Sequence, residues 1–147
     1  MPRWPLLVVV STALCLSACT PQTAGPGTPQ AFTFACARPN EGKRIAVEGY
    51  LRLPPSVASS QGVMLLLYPD PSLKGRPIGV MMRFGDKPNE AHKIISAYHD
   101  SDLKVHLADG TTVPFGTRVR VSGRMQLPVV PQAYDCDLRD PYVEAAQ

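Results

Sequence analysis

Apolar and polar residues alternate along several short stretches of the chain, which is the pattern of strands with one buried face. Residues 43–54, KRIAVEGYLRLP, show it first, with an apolar face and a polar face: Ile45, Val47, Leu51 and Leu53 against Glu48, Tyr50 and Arg52. Gly49 interrupts the apolar face at mid-length, where a strand can bend sharply or form a bulge. The stretch therefore predicts a bent strand.

Four further stretches predict strands. Residues 63–68, VMLLLY, are continuously apolar and indicate a buried strand, and residues 78–84, IGVMMRF, alternate. Residues 116–125, GTRVRVSGRM, direct two valines to one face and four polar residues to the other: Arg118, Arg120, Ser122 and Arg124. Residues 134–139 supply a short last strand. Methionines in these runs (Met64, Met81 and Met82) are expected to fill the core.

The stretch between the third and fourth of these strands has a different pattern. Asn89 is a suitable N-cap for a short helix that ends near Tyr98, with Ile94, Ile95 and Tyr98 as its apolar stripe. Residues 104–116, KVHLADGTTVPFG, then predict a hairpin whose turn is Asp109-Gly110. Pro114 indicates that the second arm is an edge or ends there.

This order of elements resembles the OB-fold, particularly its small exported bacterial versions. The pattern VxVxGxL, typical of the first OB strand, is similar to residues 45–51 with isoleucine in place of the first valine, and GTxVxVxG matches residues 116–123. The resemblance covers roughly residues 43–142 and implies an all-β protein, a small closed or partly open barrel with one short helix. The Asp109-Gly110 hairpin is one that many OB domains lack, so an Ig-like β-sandwich stays as the alternative.

The N-terminus has the pattern of an export signal. Residues 4–14 are mostly apolar but too few to cross about 30 Å of hydrocarbon as a helix. Leu16-Ser17-Ala18-Cys19 resembles the lipobox of bacterial lipoproteins. That resemblance implies cleavage before Cys19 and attachment of diacylglycerol to its sulfur; the alternative is an ordinary signal cleaved after Ala18. The predicted organisation is a signal peptide (1–18), a lipidated flexible tether (19–31) and one domain (32–147).

A lipid anchor also implies a location. Thr20 stands where inner-membrane lipoproteins of enteric bacteria have aspartate. The expected location is the outer membrane, facing the periplasm, in a Gram-negative cell, and otherwise the outer face of the cytoplasmic membrane. Cleavage removes Cys15 and lipidation consumes Cys19, which leaves Cys36 and Cys136. In an oxidising compartment these two predict a disulfide across the domain.

Composition narrows the partners. The 147 residues are 44% hydrophobic and 18% charged, an ordinary globular balance, and the net charge is only +3. So weak a charge supplies little attraction for nucleic acid. Tyr50 is the one aromatic residue expected beside the arginines, whereas single-strand binders need stacking platforms. We therefore do not expect nucleic acid as a partner.

The candidate binding residues are the arginines of the fourth predicted barrel strand and their neighbours on the first: Arg118, Arg120, Arg124, Arg52 and Tyr50. By resemblance, OB domains bind ligands across such a sheet face. Guanidinium groups suit carboxylates and phosphates because their forked donors match paired oxygens. The same alternation also arises when a strand simply keeps one face in water.

Histidines recur every seven residues: His92, His99 and His106. They lack the tighter spacings, such as HxH or HxxxH, that metal sites commonly use, so we expect surface histidines and no metal or other cofactor. No GxSxG or HExxH motif occurs, which predicts no enzyme. The expected function is a lipid-anchored, non-catalytic module that binds a protein partner or an envelope polymer; the alternative is a small-molecule or metal-binding lipoprotein.

Overall fold

The computed structural model describes residue 1, residues 24–95 and residues 97–147. In this part of the chain the strands are β1 Thr28–Pro29, β2 Arg44–Arg52, β3 Gly62–Tyr68, β4 Ile78–Arg83, β5 Lys104–His106, β6 Thr112–Pro114, β7 Arg118–Gln126 and β8 Asp137–Ala145. One α-helix, α1 Phe32–Ala35, and two 3-10 turns, Arg38–Asn40 and Asp100–Asp102, complete the regular structure. The expected all-β class is confirmed.

Five strands close into a barrel in the order β2-β3-β4-β8-β7, with β7 returning to pair with β2. The pairs are antiparallel except β4 with β8, which is parallel. This strand order with a single parallel pair is OB-like, so the expected small barrel is confirmed and the sandwich alternative is wrong. The β5–β6 hairpin is inserted between β4 and β7 and turns at Gly110, whose φ is +86°.

The bend predicted at Gly49 allows β2 to pair with two different strands. β2 pairs with β7 from Arg44 to Tyr50 but reaches β3 only from Tyr50 onward. A Cβ at position 49 would lie 2.3 Å from the carbonyl oxygen of Tyr68, so only glycine fits there. The apolar faces point inward as expected: Ile45, Val47, Leu51, Leu53, Val80, Met82, Val119 and Val121 are all buried.

The helix predicted from Asn89 to Tyr98 is wrong. Asn89 has φ +65°, a left-handed conformation that does not begin a right-handed helix, and its side-chain oxygen accepts a hydrogen bond from the backbone N–H of Val143. Ala91 forms β-bridges with Phe84 and Val105. Pairing with neighbouring strands therefore replaces the helix, and the short α-helix of the described chain is α1, ahead of the barrel.

The second half of the predicted tether belongs to the described part of the chain. Residues 24–31, here called the N-terminal segment, lie against the barrel, with β1 parallel to β2 and the N–H of Gln30 donating to the carbonyl of Ala46. Since β3 leaves the first half of β2's edge unpaired, the segment satisfies backbone groups there. The remainder of the tether, the predicted signal peptide after Met1 and the predicted lipidation site Cys19 lie outside the described residues.

The predicted disulfide is confirmed. Cys36 follows α1, Cys136 precedes β8, and their Cα atoms are 5.4 Å apart. Cys136 is completely buried. The bond thereby ties the end of α1 to the start of β8.

Candidate functional site

The arginines of β7 point outward as expected, but the N-terminal segment divides the face that they share. Arg118, Arg120, Ser122 and Arg124 of β7 alternate outward, and β2 places Tyr50, Glu48, Ala46 and Arg44 opposite them in that order. The N-terminal segment crosses this face at its middle, where the backbone N–H of Gly27 donates to the Ser122 hydroxyl over 2.9 Å. Ser122 and Ala46 are consequently buried. The segment therefore leaves two separate groups of arginines.

The first group, here called the paired cluster, consists of Arg118, Arg120, Glu48 and Glu144. An Arg118 guanidinium nitrogen lies 3.0 Å from a Glu48 carboxylate oxygen. Arg120 stands between Glu48 on β2 and Glu144 on β8 in the strand register. Two arginines thus alternate with two glutamates, and the cluster has little net charge to offer a ligand.

The second group lines a cleft of about 980 Å³ on the other side of the segment, here called the arginine cleft. Four barrel strands contribute one arginine each: Arg44 from β2, Arg83 from β4, Arg124 from β7 and Arg139 from β8. Residues 24–26 of the N-terminal segment form one wall, and Glu90 and Asp140 supply the acidic side chains in the lining.

Two of the four cleft arginines have acidic partners. Arg124 lies 2.6 Å from Asp140, and both side chains are more than half exposed. Arg139 donates two hydrogen bonds to Asp137, at 2.6 and 3.3 Å. Asp137 is buried, and its hydrogen bond raises the pKa of Arg139 above the ordinary value. These two guanidinium charges are therefore largely neutralised within the protein.

The other two cleft arginines have no acidic partner among the described residues. Arg44 donates from Nε to the carbonyl of Gly25, but one of its terminal nitrogens is buried without any hydrogen-bond partner. Burial lowers the pKa of Arg44, an effect that Asp140 opposes and Arg124 reinforces. Arg83 is exposed and forms no ion pair with any residue that the structure describes. Arg44 and Arg83 are thus the guanidinium groups open to an anion.

The five residues singled out from the sequence do not form one site. Arg124 lies in the arginine cleft, Arg118 and Arg120 lie in the paired cluster with Tyr50 opposite Arg118, and Arg52 pairs with Asp100 at 2.9 Å.

Sequence reasoning missed three cleft arginines: Arg44, Arg83 and Arg139. Strand alternation could have found the first two, because Arg44 shares the polar face with Glu48 and Arg83 follows the inward Met82. Arg139 required knowledge that β8 lies beside β4.

The histidines are also divided. His92 and His106 come together with Asp86, which the sequence did not single out, whereas His99 precedes the Asp100–Asp102 turn and takes no part. Of the methionines expected in the core, Met82 is fully buried, while Met64 and Met81 are only half-buried on the outer side of β3 and β4.

Comparison of the chain with protein-family models, with curated proteins and with solved structures finds no match in any of the three. The OB-like architecture therefore stands on the strand order of this structure. Across the described residues, no helix is both long enough and apolar enough to cross a bilayer.

Proposed function

We propose that the protein is a lipid-anchored, non-catalytic binding module of the cell envelope whose arginine cleft holds anionic groups of a partner protein or an envelope polymer. The observation that carries this proposal is the convergence of Arg44 and Arg83, without acidic partners, beside Arg124 and Arg139. The paired cluster lacks this excess of positive charge.

The chemistry of the cleft suits carboxylates and phosphates. A guanidinium presents forked donors that match paired oxygens, and charge-assisted hydrogen bonds are stronger than neutral ones. The buried terminal nitrogen of Arg44 has lost its water without gaining a partner, so an anion that reaches it supplies a missing hydrogen bond. Four arginines from four strands are also held apart by the sheet, which fits a ligand with several charges.

The proposed anchor would bring the cleft to the lipid surface. Residues 24–26 line the cleft, so only residues 20–23 lie between a lipidated Cys19 and the cleft, a path of five residue steps. Five extended residues span at most about 18 Å. The ligand would therefore be a component within reach of the membrane, and tethering would raise its effective concentration without additional contacts.

Titration with defined polyanions tests the ligand chemistry. The full chain, extracted in a neutral detergent, is titrated with polyglutamate and with polyphosphate at several salt concentrations. We expect binding that weakens steeply with salt. Replacing Arg83→Gln together with Arg124→Gln should weaken it at least tenfold, whereas Arg118→Gln with Arg120→Gln, which removes the same charge from the paired cluster, should change it less than twofold. Equal losses for the two double variants would contradict the cleft assignment.

Intact mass tests the anchor separately. Protein extracted from membranes should have the mass of a chain that begins at Cys19 and carries diacylglycerol, and Cys19→Ser should release the protein from the membrane fraction. A mass that matches the unmodified chain from Met1 would contradict the anchor but leave the polyanion result intact.

A further inference from the structure

We propose that Asp86, His92 and His106 form a binding site for one divalent transition-metal ion of the Zn²⁺ type. One ligand atom from each of these residues lies within 4.8 Å of the other two. None of the three lines the arginine cleft, so this inference does not depend on the proposed function.

Strand pairing brings the two histidines together. The N–H of His92 donates to the carbonyl of Lys104, and the N–H of His106 donates to the carbonyl of Glu90, both over 2.9 Å. Ala91 and Val105, paired between them, point into the core. Because side chains alternate, His92 and His106 become diagonal neighbours on the outer face, with ring centroids 6.3 Å apart.

The loop after β4 adds the carboxylate. The N–H of Gly85 donates to the carbonyl of Ala91 over 2.9 Å, which holds the loop closed and places Asp86 over both rings. Its Oδ1 lies 3.2 Å from His92 Nδ1 and 3.6 Å from His106 Nε2. Ligands about 2.0–2.1 Å from a tetrahedral zinc ion are about 3.3–3.4 Å apart. The two distances bracket that value.

His106 already has the environment of a metal ligand. Its Nε2 is buried and has no hydrogen-bond partner, while its Nδ1 lies 2.9 Å from the hydroxyl of Thr112. A neutral imidazole that donates Nδ1–H to Thr112 directs the lone pair of Nε2 towards Asp86 and His92. Metal-bound histidines commonly use their second nitrogen in this way. An ion would therefore satisfy the one polar atom of this group that the protein leaves unpaired.

The other two ligands are exposed, which leaves their side chains room to rotate towards an ion. The Asp86 side chain is 81% exposed and that of His92 is 53% exposed, against 14% for His106. One fixed ligand and two adjustable ones can thus reach a common centre by side-chain rotation. Two imidazoles and one carboxylate suit zinc better than Mg²⁺ or Ca²⁺, which prefer oxygen ligands, and three protein ligands leave a fourth position for water.

Calorimetric titration with ZnCl₂ tests the site on the full chain, purified without an affinity tag and freed of metal by a chelator. We expect about one equivalent to bind, and His92→Gln and Asp86→Asn each to weaken binding at least tenfold. His99→Gln is the matched control, since His99 is exposed and outside the cluster. Binding below about 0.1 equivalent, or equal weakening by His99→Gln, would overturn the proposal.

Cobalt substitution identifies the ligands by a second route. Co²⁺ in the site should give the visible absorption of a four- or five-coordinate ion with nitrogen and oxygen ligands, and His92→Gln should abolish it. A sulfur-to-cobalt charge-transfer band would place the ion on a cysteine and overturn the proposal. His106→Gln, whose folding is checked by circular dichroism, should remove the absorption while the disulfide-linked barrel persists.

Discussion

The paired cluster and the arginine cleft occupy the same outer wall of the barrel and use the same side chain, yet their charge balance differs. In the paired cluster, Glu48 and Glu144 stand opposite Arg120 on its two neighbouring strands, and Glu48 also pairs with Arg118. In the cleft, two of the four arginines are paired and two are not. The number of arginines alone therefore says little about where an anion would bind.

Topology explains the difference. The paired cluster lies on adjacent antiparallel strands, which set its arginines beside acidic residues. The cleft lies on β8 and its two neighbours, parallel β4 and antiparallel β7. The N-terminal segment forms one of its walls. That segment separates the two groups, so changes to the segment, to the charges beside it and to the disulfide that follows it should affect the two groups differently.

The largest effect is expected from removing the disulfide, which joins the N-terminal region to the strand that carries Asp137 and Arg139. Cys36→Ala with Cys136→Ala releases a loop of 100 residues. The free energy of unfolding in urea should fall by about 3–5 kcal/mol, because the unfolded chain regains the corresponding entropy. The wild-type chain under reducing conditions is the control and should match the double variant. A loss below about 1 kcal/mol would contradict this account.

Removing one acidic residue beside the arginine cleft and one from the paired cluster tests whether the two regions differ electrostatically. Asp137→Asn removes the buried negative charge and replaces one of the two oxygens that accept from Arg139 with an NH₂ donor, so we expect a loss of about 2 kcal/mol in unfolding free energy. Glu48→Gln breaks a pair whose arginine is half exposed, and should cost less than about 1 kcal/mol. Equal losses in thermal or urea unfolding would show that the two regions are not electrostatically distinct.

Adding one methyl group at Gly27 should detach the N-terminal segment from β2. A Cβ at Gly27 would lie 2.5 Å from the backbone of Ile45, whereas a Cβ at Gly25 meets nothing within 4 Å. Gly27→Ala should therefore cost about 1–2 kcal/mol and speed hydrogen exchange at the amide of Gln30, which bonds to Ala46. Gly25→Ala is the matched control and should leave both nearly unchanged. Retained protection at Gln30 in Gly27→Ala would refute the docked segment.

The alternation of apolar and polar residues predicted the barrel well, because the pattern of each strand is complete within a short stretch of sequence. The alternation around Ile45 and Val47 and the bend at Gly49 follow from the sequence, and so does the turn at Gly110. The helix prediction failed at Asn89 because its side-chain oxygen accepts a hydrogen bond from the N–H of Val143, 54 residues away in the chain. No local propensity reports such a partner.

The candidate sites were predictable only in part for the same reason. Arg124 was found from alternation on its own strand, but its neighbours Arg44 and Arg83 come from strands whose order emerges only in the closed barrel. His92 and His106 are 14 residues apart in the chain and meet through strand pairing, which motif spacing does not reveal. The N-terminal segment has the composition of a linker, yet an open strand edge holds it in place.

Among these variants, Arg44→Met should change the unfolding free energy least while changing polyanion binding strongly. Arg44→Met keeps the apolar stem of the side chain and loses the bond from Nε to Gly25, but it also removes the buried nitrogen that has no partner. These effects oppose each other, so the unfolding free energy should change by less than about 1 kcal/mol. Arg118→Met, the control in the paired cluster, should be similarly mild.

Polyanion binding should separate these two variants. Affinity for polyphosphate should fall at least fivefold in Arg44→Met and stay within twofold in Arg118→Met, because Arg44 has a buried nitrogen without a partner whereas Arg118 is paired with Glu48. A strong stability loss in Arg44→Met would mean that its guanidinium serves to hold the N-terminal segment through Gly25. Unchanged affinity in Arg44→Met would instead leave Arg83 as the sole open cation of the cleft, too exposed and too weakly held to define a site on its own.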